Sequence, residues 1–214
     1  RYRDVDLDLA LLNTAPEIDR VTITDAPGWR RATTEQLALP PIQHILAESR
    51  QEDGGPHVTQ YAAVITPYRG DSPILGARLL ENDAESGLLA IEVKLNGRTD
   101  YIISARDQAE RQIGPVTVSG EFAFVSVDEE GNAAHGYLLN GSHLACGDMT
   151  IDLPEPTTTL EVRSVEGRTF HLAKPLKVGS VIPGSYLLVG SSPRTGLEIE
   201  SVTTGSITVR DYPA

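Results

Sequence analysis

Apolar residues in this chain recur at every second position, and that period calls for strands. "VDLDLALL", from Val5 to Leu12, alternates without a break. So do "RVTIT", "YAAVIT", "ILGARLLE", "LLAIEVKLNG", "TDYIISA", "VTVSGEFAFVSVD", "AAHGYLLNGSHLA" and "DMTIDLP". Turn signals stand at Asn96-Gly97, Glu130-Gly131-Asn132 and Asn140-Gly141. Strands at this spacing with no helices between them predict an all-β fold, an antiparallel β-sandwich. One stretch has helical composition, "TTEQLALPPIQHILAES". Pro40-Pro41 interrupts it, which predicts an irregular crossing loop with at most one turn of helix.

The alternation divides the chain. Residues 1–153 are expected to form the large antiparallel β-sandwich, with "ESRQEDGGP" as an exposed polar loop. "LPEPTTTLEV" reads as a linker centred on residues 154–160. Residues 161–214 carry short strands at Thr169–Leu172, Tyr186–Val189, Leu197–Val202 and Ser206–Val209, which suit a small β-barrel-like or capping β domain. No internal repeat relates the two parts. A chain of 214 residues is long enough to bury a core in either division.

Charge and cysteine usage narrow the function classes. The net charge of -12 opposes a phosphate backbone, which excludes nucleic acid as the expected partner. The same charge means that a grip on a polyanionic sugar needs a local basic cluster. Cys146 is the single cysteine, so no internal disulfide and no thiolate metal site is expected. No apolar run approaches the roughly 18 residues of a membrane-spanning helix, and no membrane partner is expected. The opening "RYRDVDLDLA" has neither a Met nor a signal peptide, which suggests an internal or processed fragment.

Several residues carry chemistry on two readings. Trp29, beside Arg30 and Arg31, would stack on a sugar ring and pair its carboxylate, or would cover a sandwich edge with solvated arginines. "PHVTQYAAVITPYRGD" sets His57, Tyr61 and Ala63 on one strand face and shows Tyr68 and Arg69 at its exit. Tyr and His are the residue types that take a proton beside a carboxylate. The plainer reading makes Tyr61 a core residue and Tyr68-Arg69 a turn. His135 and His143 would lie on neighbouring strands across Asn140-Gly141, with Cys146 following. They would be weak metal candidates if a fourth group converged, and otherwise cross-strand surface residues. "DEEGNAA" lacks the ligand spacing of a calcium loop. No cofactor motif is present.

Read together, three segments carry a resemblance. "YAAVITPYRGD" resembles the strand-to-loop "L-x-P-Y-x-G" segment of heparinase II/III-like polysaccharide lyases, which include heparin and alginate lyases. "LLAIEVKLNGRTDYIISA" is similar to that family's following strands, and "GEFAFVSVDEEGNAAHGYLLNGSHL" to its next hairpin. The order matches over roughly Val5 to Leu153. The resemblance implies the C-terminal β region of a secreted or periplasmic lyase. It would wall the cleft of an N-terminal α/α toroid that acts on an acidic, uronate-containing polysaccharide by β-elimination. The catalytic residues would come largely from the toroid, and this segment alone would be inactive. The chain shows no amphipathic helical series, and Arg1 to Ile23 contain no His where the family places one. No catalytic residue is therefore carried over. Tyr68, Arg69, Trp29, Arg30 and His57 remain as substrate-contact candidates.

Two other classes stand beside this reading. A stand-alone carbohydrate-binding or adhesion β-sandwich would show coplanar aromatics, yet aromatics make up only 5% of the chain. A metal-dependent β-sandwich enzyme would use His135, His143 and Cys146.

Overall fold

A computed structural model describes residues 6–12, 18–26, 42–50, 59–177, 179–190 and 195–210. The chain is all-β with antiparallel sheets, and no helix occurs among the described residues. Two compact units divide it: Arg1–Asp107 with Ser126–Glu129, and Gln108–Val125 with Glu130–Ala214.

The first unit holds β1 (Asp6–Leu12), β2 (Arg20–Ala26), β3 (Ile42–Glu48), β4 (Ala62–Tyr68), β5 (Ile74–Asp83), β6 (Leu88–Leu95) and β7 (Arg98–Ser104). β1 and β4 form one two-stranded ribbon, β2 and β3 a second. β5, β6 and β7 are successive hairpin neighbours. The β6–β7 turn is Asn96-Gly97, and Gly97 takes a positive φ of 77°, which a glycine reaches without strain. Leu88, Ala90 and Ile103 form one buried face of β6 and β7, and Val93, opposite Asp100, is buried on the other.

Two sequence expectations change here. "IQHILAE" is β3, paired with β2 from Arg20↔Glu48 to Ala26↔Ile42, and is no part of a crossing loop. Its Leu, Ala and Glu have helical preference, but ladder hydrogen bonds to the β-branched "RVTIT" outweigh it. The alternation of β4 also falls on the other parity. Ala62 and Thr66 are buried, whereas Tyr61 and Ile65 are exposed, so Tyr61 does not fill the core.

The second unit contains β8 (Glu110–Ile113), β9 (Val116–Asp128, whose last three residues belong to the first unit), β10 (Ala133–Cys146) and β11 (Met149–Asp152). They neighbour one another in the order β8, β9, β10, β11. Val116, Val118, Ala123, Val125, Leu144 and Cys146 make the buried face. Asn140-Gly141 is not a turn: β10 runs straight through it. Asn140 takes φ 47° and bends the strand instead. Gly141 sits where a Cβ would meet the Ser119 carbonyl oxygen at 2.5 Å and the Gly120 Cα at 2.7 Å. The Asn-Gly pair thus serves a close backbone approach, a use of glycine in strands that looks the same in sequence as a hairpin turn.

The same unit ends in a five-stranded sheet ordered β12 (Val162–Glu166), β13 (Thr169–Leu172), β16 (Ser206–Val209), β15 (Thr195–Val202), β14 (Tyr186–Val189). A register shift between Ile199 and Ser201 bends β15, whose first half pairs β14 and whose second half pairs β16. The sheet curls around its own core of Phe170, Leu172, Leu197, Ile199, Ile207 and Val209. β12 lies within the stretch expected as linker and early small domain. All five of its residues are exposed, so it carries no burial alternation that a sequence could display.

Ile207→Ala is expected to lower stability by about 2–5 kcal/mol, since a fully enclosed branched side chain leaves a cavity. Gly141→Ala is expected to cost about 1–3 kcal/mol because the intruding methyl meets the Ser119 and Gly120 backbone as well as the Leu138 side chain. Denaturant titration of both variants measures this, and an unchanged midpoint for Gly141→Ala would contradict the close approach.

Candidate functional site

Tyr68 ends β4, and Arg69, Gly70 and Asp71 form the exit. Gly70 takes φ 78°, so the turn depends on a glycine there. The Tyr68 hydroxyl lies 3.3 Å from Asp8 Oδ1 on the partner strand β1. Partial desolvation, together with the charges of Asp8 and Asp6, raises the phenol above its ordinary value. A raised phenol holds its proton more firmly and is poorly suited to serve as a base near neutral pH. Tyr68 is therefore a donor at an acidic rim, and Arg69 beside it is exposed. Trp29, Arg30 and His57 lie outside the described residues.

His135 and His143 do not face each other across a turn. Both lie on β10, eight residues apart in a continuous strand, which at strand rise is on the order of 25 Å. Cys146 is buried, and burial raises its thiol above the ordinary range, so it is an inert core residue. His143 has a different partner: its Nδ1 lies 2.6 Å from Asp152 Oδ1 on β11, in the directly opposed register position. No group of three or more His, Cys, Asp or Glu suited to a metal ion occurs among the described residues. Next to this pair, Asn140 Nδ2 donates to Glu121 on β9 at 3.0 Å, and Thr117 Oγ1 donates to Gln112 on β8 at 2.6 Å. These pairs bridge neighbouring strands and leave no acid or base aimed into a cleft.

An ionic row across β5, β6 and β7 escaped sequence reasoning. Register places Arg78 opposite Glu92, and Glu92 opposite Tyr101. Arg78 donates to both carboxylate oxygens of Glu92, at 2.8 and 2.9 Å, while Lys94 Nζ stands 3.9 Å away. The Glu92 side chain is only 5% exposed. The Arg78 hydrogen bond holds its carboxyl below the usual range against desolvation, with further help from Arg78's charge, Lys94 and Tyr101. A carboxylate so saturated is structural. The only signal in the sequence was a Glu inside the apolar run "LLAIEVKL".

These elements define a class: an antiparallel β domain with cross-strand ion pairs on its sheets and no cluster suited to a metal ion among its described residues. Residues 78–162 match the family model described as the endo-acting ulvan lyase C-terminal domain, a polysaccharide lyase domain. The match covers less than half of the 214 residues and runs from β5 to the start of β12. No curated protein matches the chain.

Arg78→Ala is expected to lower stability, because it removes both hydrogen bonds that hold the Glu92 carboxylate. Glu92's folded value is depressed, so its stabilisation is complete above the unfolded value of 4.5 and fades as pH falls through the lowered folded value. Glu92→Gln should therefore be less stable than the parent at pH 7, and the gap should narrow steadily below pH 4.5. Urea unfolding across pH checks the sign. A gap that widens on acidification would contradict it.

Proposed function

We propose that this chain is the C-terminal β region of a polysaccharide lyase that cleaves a uronate-containing polysaccharide, ulvan being the substrate class named by its matching family. The observation that carries this reading is the match over residues 78–162, which spans an unbroken series of antiparallel strands. The heparinase II/III-like resemblance of the flanking segment "YAAVITPYRGD" points to the same reaction type.

In β-elimination a base removes the C5 proton of the uronate while its carboxylate is neutralised. The electron pair forms the C4=C5 double bond, and the C4–O bond breaks, releasing the other fragment as an alcohol once its oxygen is protonated. Tyr68 holds its proton, Glu92 is engaged by Arg78 and the Cys146 thiol is buried, which supports a base supplied by an N-terminal α/α toroid whose cleft this region supports. Two ribbon faces support such a partner. Leu7, Leu9 and Ile65 stand exposed on β1–β4, and Val21, Ile23 and Ile45 on β2–β3. Apolar faces on two-stranded ribbons favour a covering domain. Tyr68 and Arg69 would then sit on a rim that touches substrate. A polymer substrate does not cross a membrane, which supports a secreted or periplasmic enzyme.

The 214-residue chain alone is expected to release no unsaturated uronate from ulvan, measured by ultraviolet absorbance. A polypeptide that adds the toroid is expected to release it. Turnover by the chain alone would overturn the supporting role, and absence of turnover by the extended polypeptide on any uronate polymer would overturn the lyase reading.

A further inference from the structure

A groove of about 600 Å³ lies in the second unit, between the strap Pro154–Glu161 and the loop Leu172–Ser180. Its volume falls within the few hundred to a thousand Å³ typical of small-ligand sites. Both walls are tied down. Ala173 N donates to Glu161 O at 2.8 Å, and Leu176 N donates to Thr204 O at 2.7 Å. Thr158 Oγ1 reaches across to Ser180 O at 3.3 Å. The floor is apolar, with Leu160 and Leu176 packed against the core of the curled sheet and Leu172 part of it.

The rim is where the groove departs from the rest of the molecule. The chain has only three lysines, Lys94, Lys174 and Lys177, against 30 acidic residues, and two of the three line this groove. Lys174 stands 3.6 Å from Glu161, with both side chains largely exposed. Such a pair is worth little in water and yields readily to a competing anion. Lys177 has no carboxylate partner among the described residues. Its carbonyl receives the Ser180 amide at 3.2 Å and the Ser180 hydroxyl at 2.8 Å, a turn that holds the lysine at the groove mouth. The Thr158 and Ser180 hydroxyls spend their protons on backbone carbonyls and keep lone pairs free. Glu155 also lines the groove and repels an anion from its own part of the rim.

We infer that this groove is a saccharide-binding site for an anionic sugar residue, whose charged group pairs with Lys177 and Lys174 while its C–H face lies on the leucine floor and its hydroxyls donate to Thr158 and Ser180. The ligand class rests on the lyase reading. The shared chemistry is a sugar-borne anion, either a carboxylate or a sulfate ester.

Calorimetric titration of the full 214-residue chain tests it, with three probes: oligogalacturonate (carboxylate only), dextran sulfate (sulfate ester only) and dextran (neither). Amide shifts in NMR locate the site. At least one anionic probe is expected to bind and dextran is not, with shifts concentrated in residues 158–161 and 174–180. Binding by the carboxylate probe alone assigns a uronate, by the sulfate probe alone a sulfate ester, and by both a general anion; each supports the site. Lys177→Ala is expected to weaken binding about tenfold, as loss of one charge-assisted contact does. Lys177→Arg and Lys94→Ala are expected to stay within about twofold, since the first keeps the charge and the second removes a charge that does not line the groove. The inference is overturned if neither anion binds, if dextran binds equally, or if Lys94→Ala and Lys177→Ala weaken binding alike. Failure of binding alongside successful cleavage by the extended polypeptide refutes the groove alone, and binding without any cleavage refutes the lyase reading alone.

Discussion

The bidentate contact between Arg78 and Glu92 is the constraint around which the hairpins β5, β6 and β7 are arranged. A carboxylate covered in this way is unfavourable without a partner, and the guanidinium reaches it with both donors only in one register. β5 carries two irregularities, at Ile74/Gly76 and Leu79/Glu81. Between them the stretch Gly76–Leu79 faces Lys94–Ile91 without slip, with Arg78 in the middle. Sliding β5 by one residue would send Arg78 to the opposite face and leave Glu92 unpaired. Tyr101 on β7 closes the row from the other side. The stretch that matches the ulvan lyase family opens at this same arginine.

Strand identity was legible wherever one face is buried and the other is wet. β9, β13, β14 and β16 coincide with runs picked out by alternation alone. Legibility failed for three separate physical reasons. β12 is exposed throughout, so its position depends on ladder hydrogen bonds to β13 and not on side-chain burial. β3 draws its residues from the helical end of the propensity scale and becomes a strand through pairing with β2. Asn140-Gly141 carries the signature of a tight turn, but the glycine is needed for the approach of the Ser119 backbone. The same dipeptide at Asn96-Gly97 is a true turn. Local sequence does not separate the two cases, because the deciding neighbour is some twenty residues away.

The candidate site was less legible than the fold. Tyr68 and Arg69 were visible because they break an apolar run at its end, and the structure leaves them on the exit of β4. The pairing of His135 with His143 depended on a turn that does not exist, and without that turn His143 finds Asp152. The groove left no mark in the sequence. Its two walls are the linker and the β13–β14 loop, and neither holds a motif. What brings them together is the backbone contact of Ala173 with Glu161 and the hydrogen bond from Thr158 to the Ser180 carbonyl. Lys-Pro-Leu-Lys, residues 174–177, becomes informative only once the strap is seen opposite it.

A net charge of -12 sets these two lysines against the rest of the molecule. The opposition is one of range. At physiological ionic strength, charges separated by more than about 8 Å are largely screened, so the acidic surface slows the approach of a polyanion without deciding what happens at contact. Within the groove the relevant charges are Lys177, Lys174, Glu161 and Glu155. Lys177, which has no carboxylate partner among the described residues, tips that local balance towards an anion. Affinity from one or two such contacts is modest, and modest affinity suits a polymer-cleaving enzyme. A chain held weakly at a second site on the same polypeptide stays at high effective concentration near the cleft and is still released after each cut. On the proposed reading, an acidic domain whose groove sets two lysines against two glutamates holds a polyanion weakly, where a broadly basic one would retain its product.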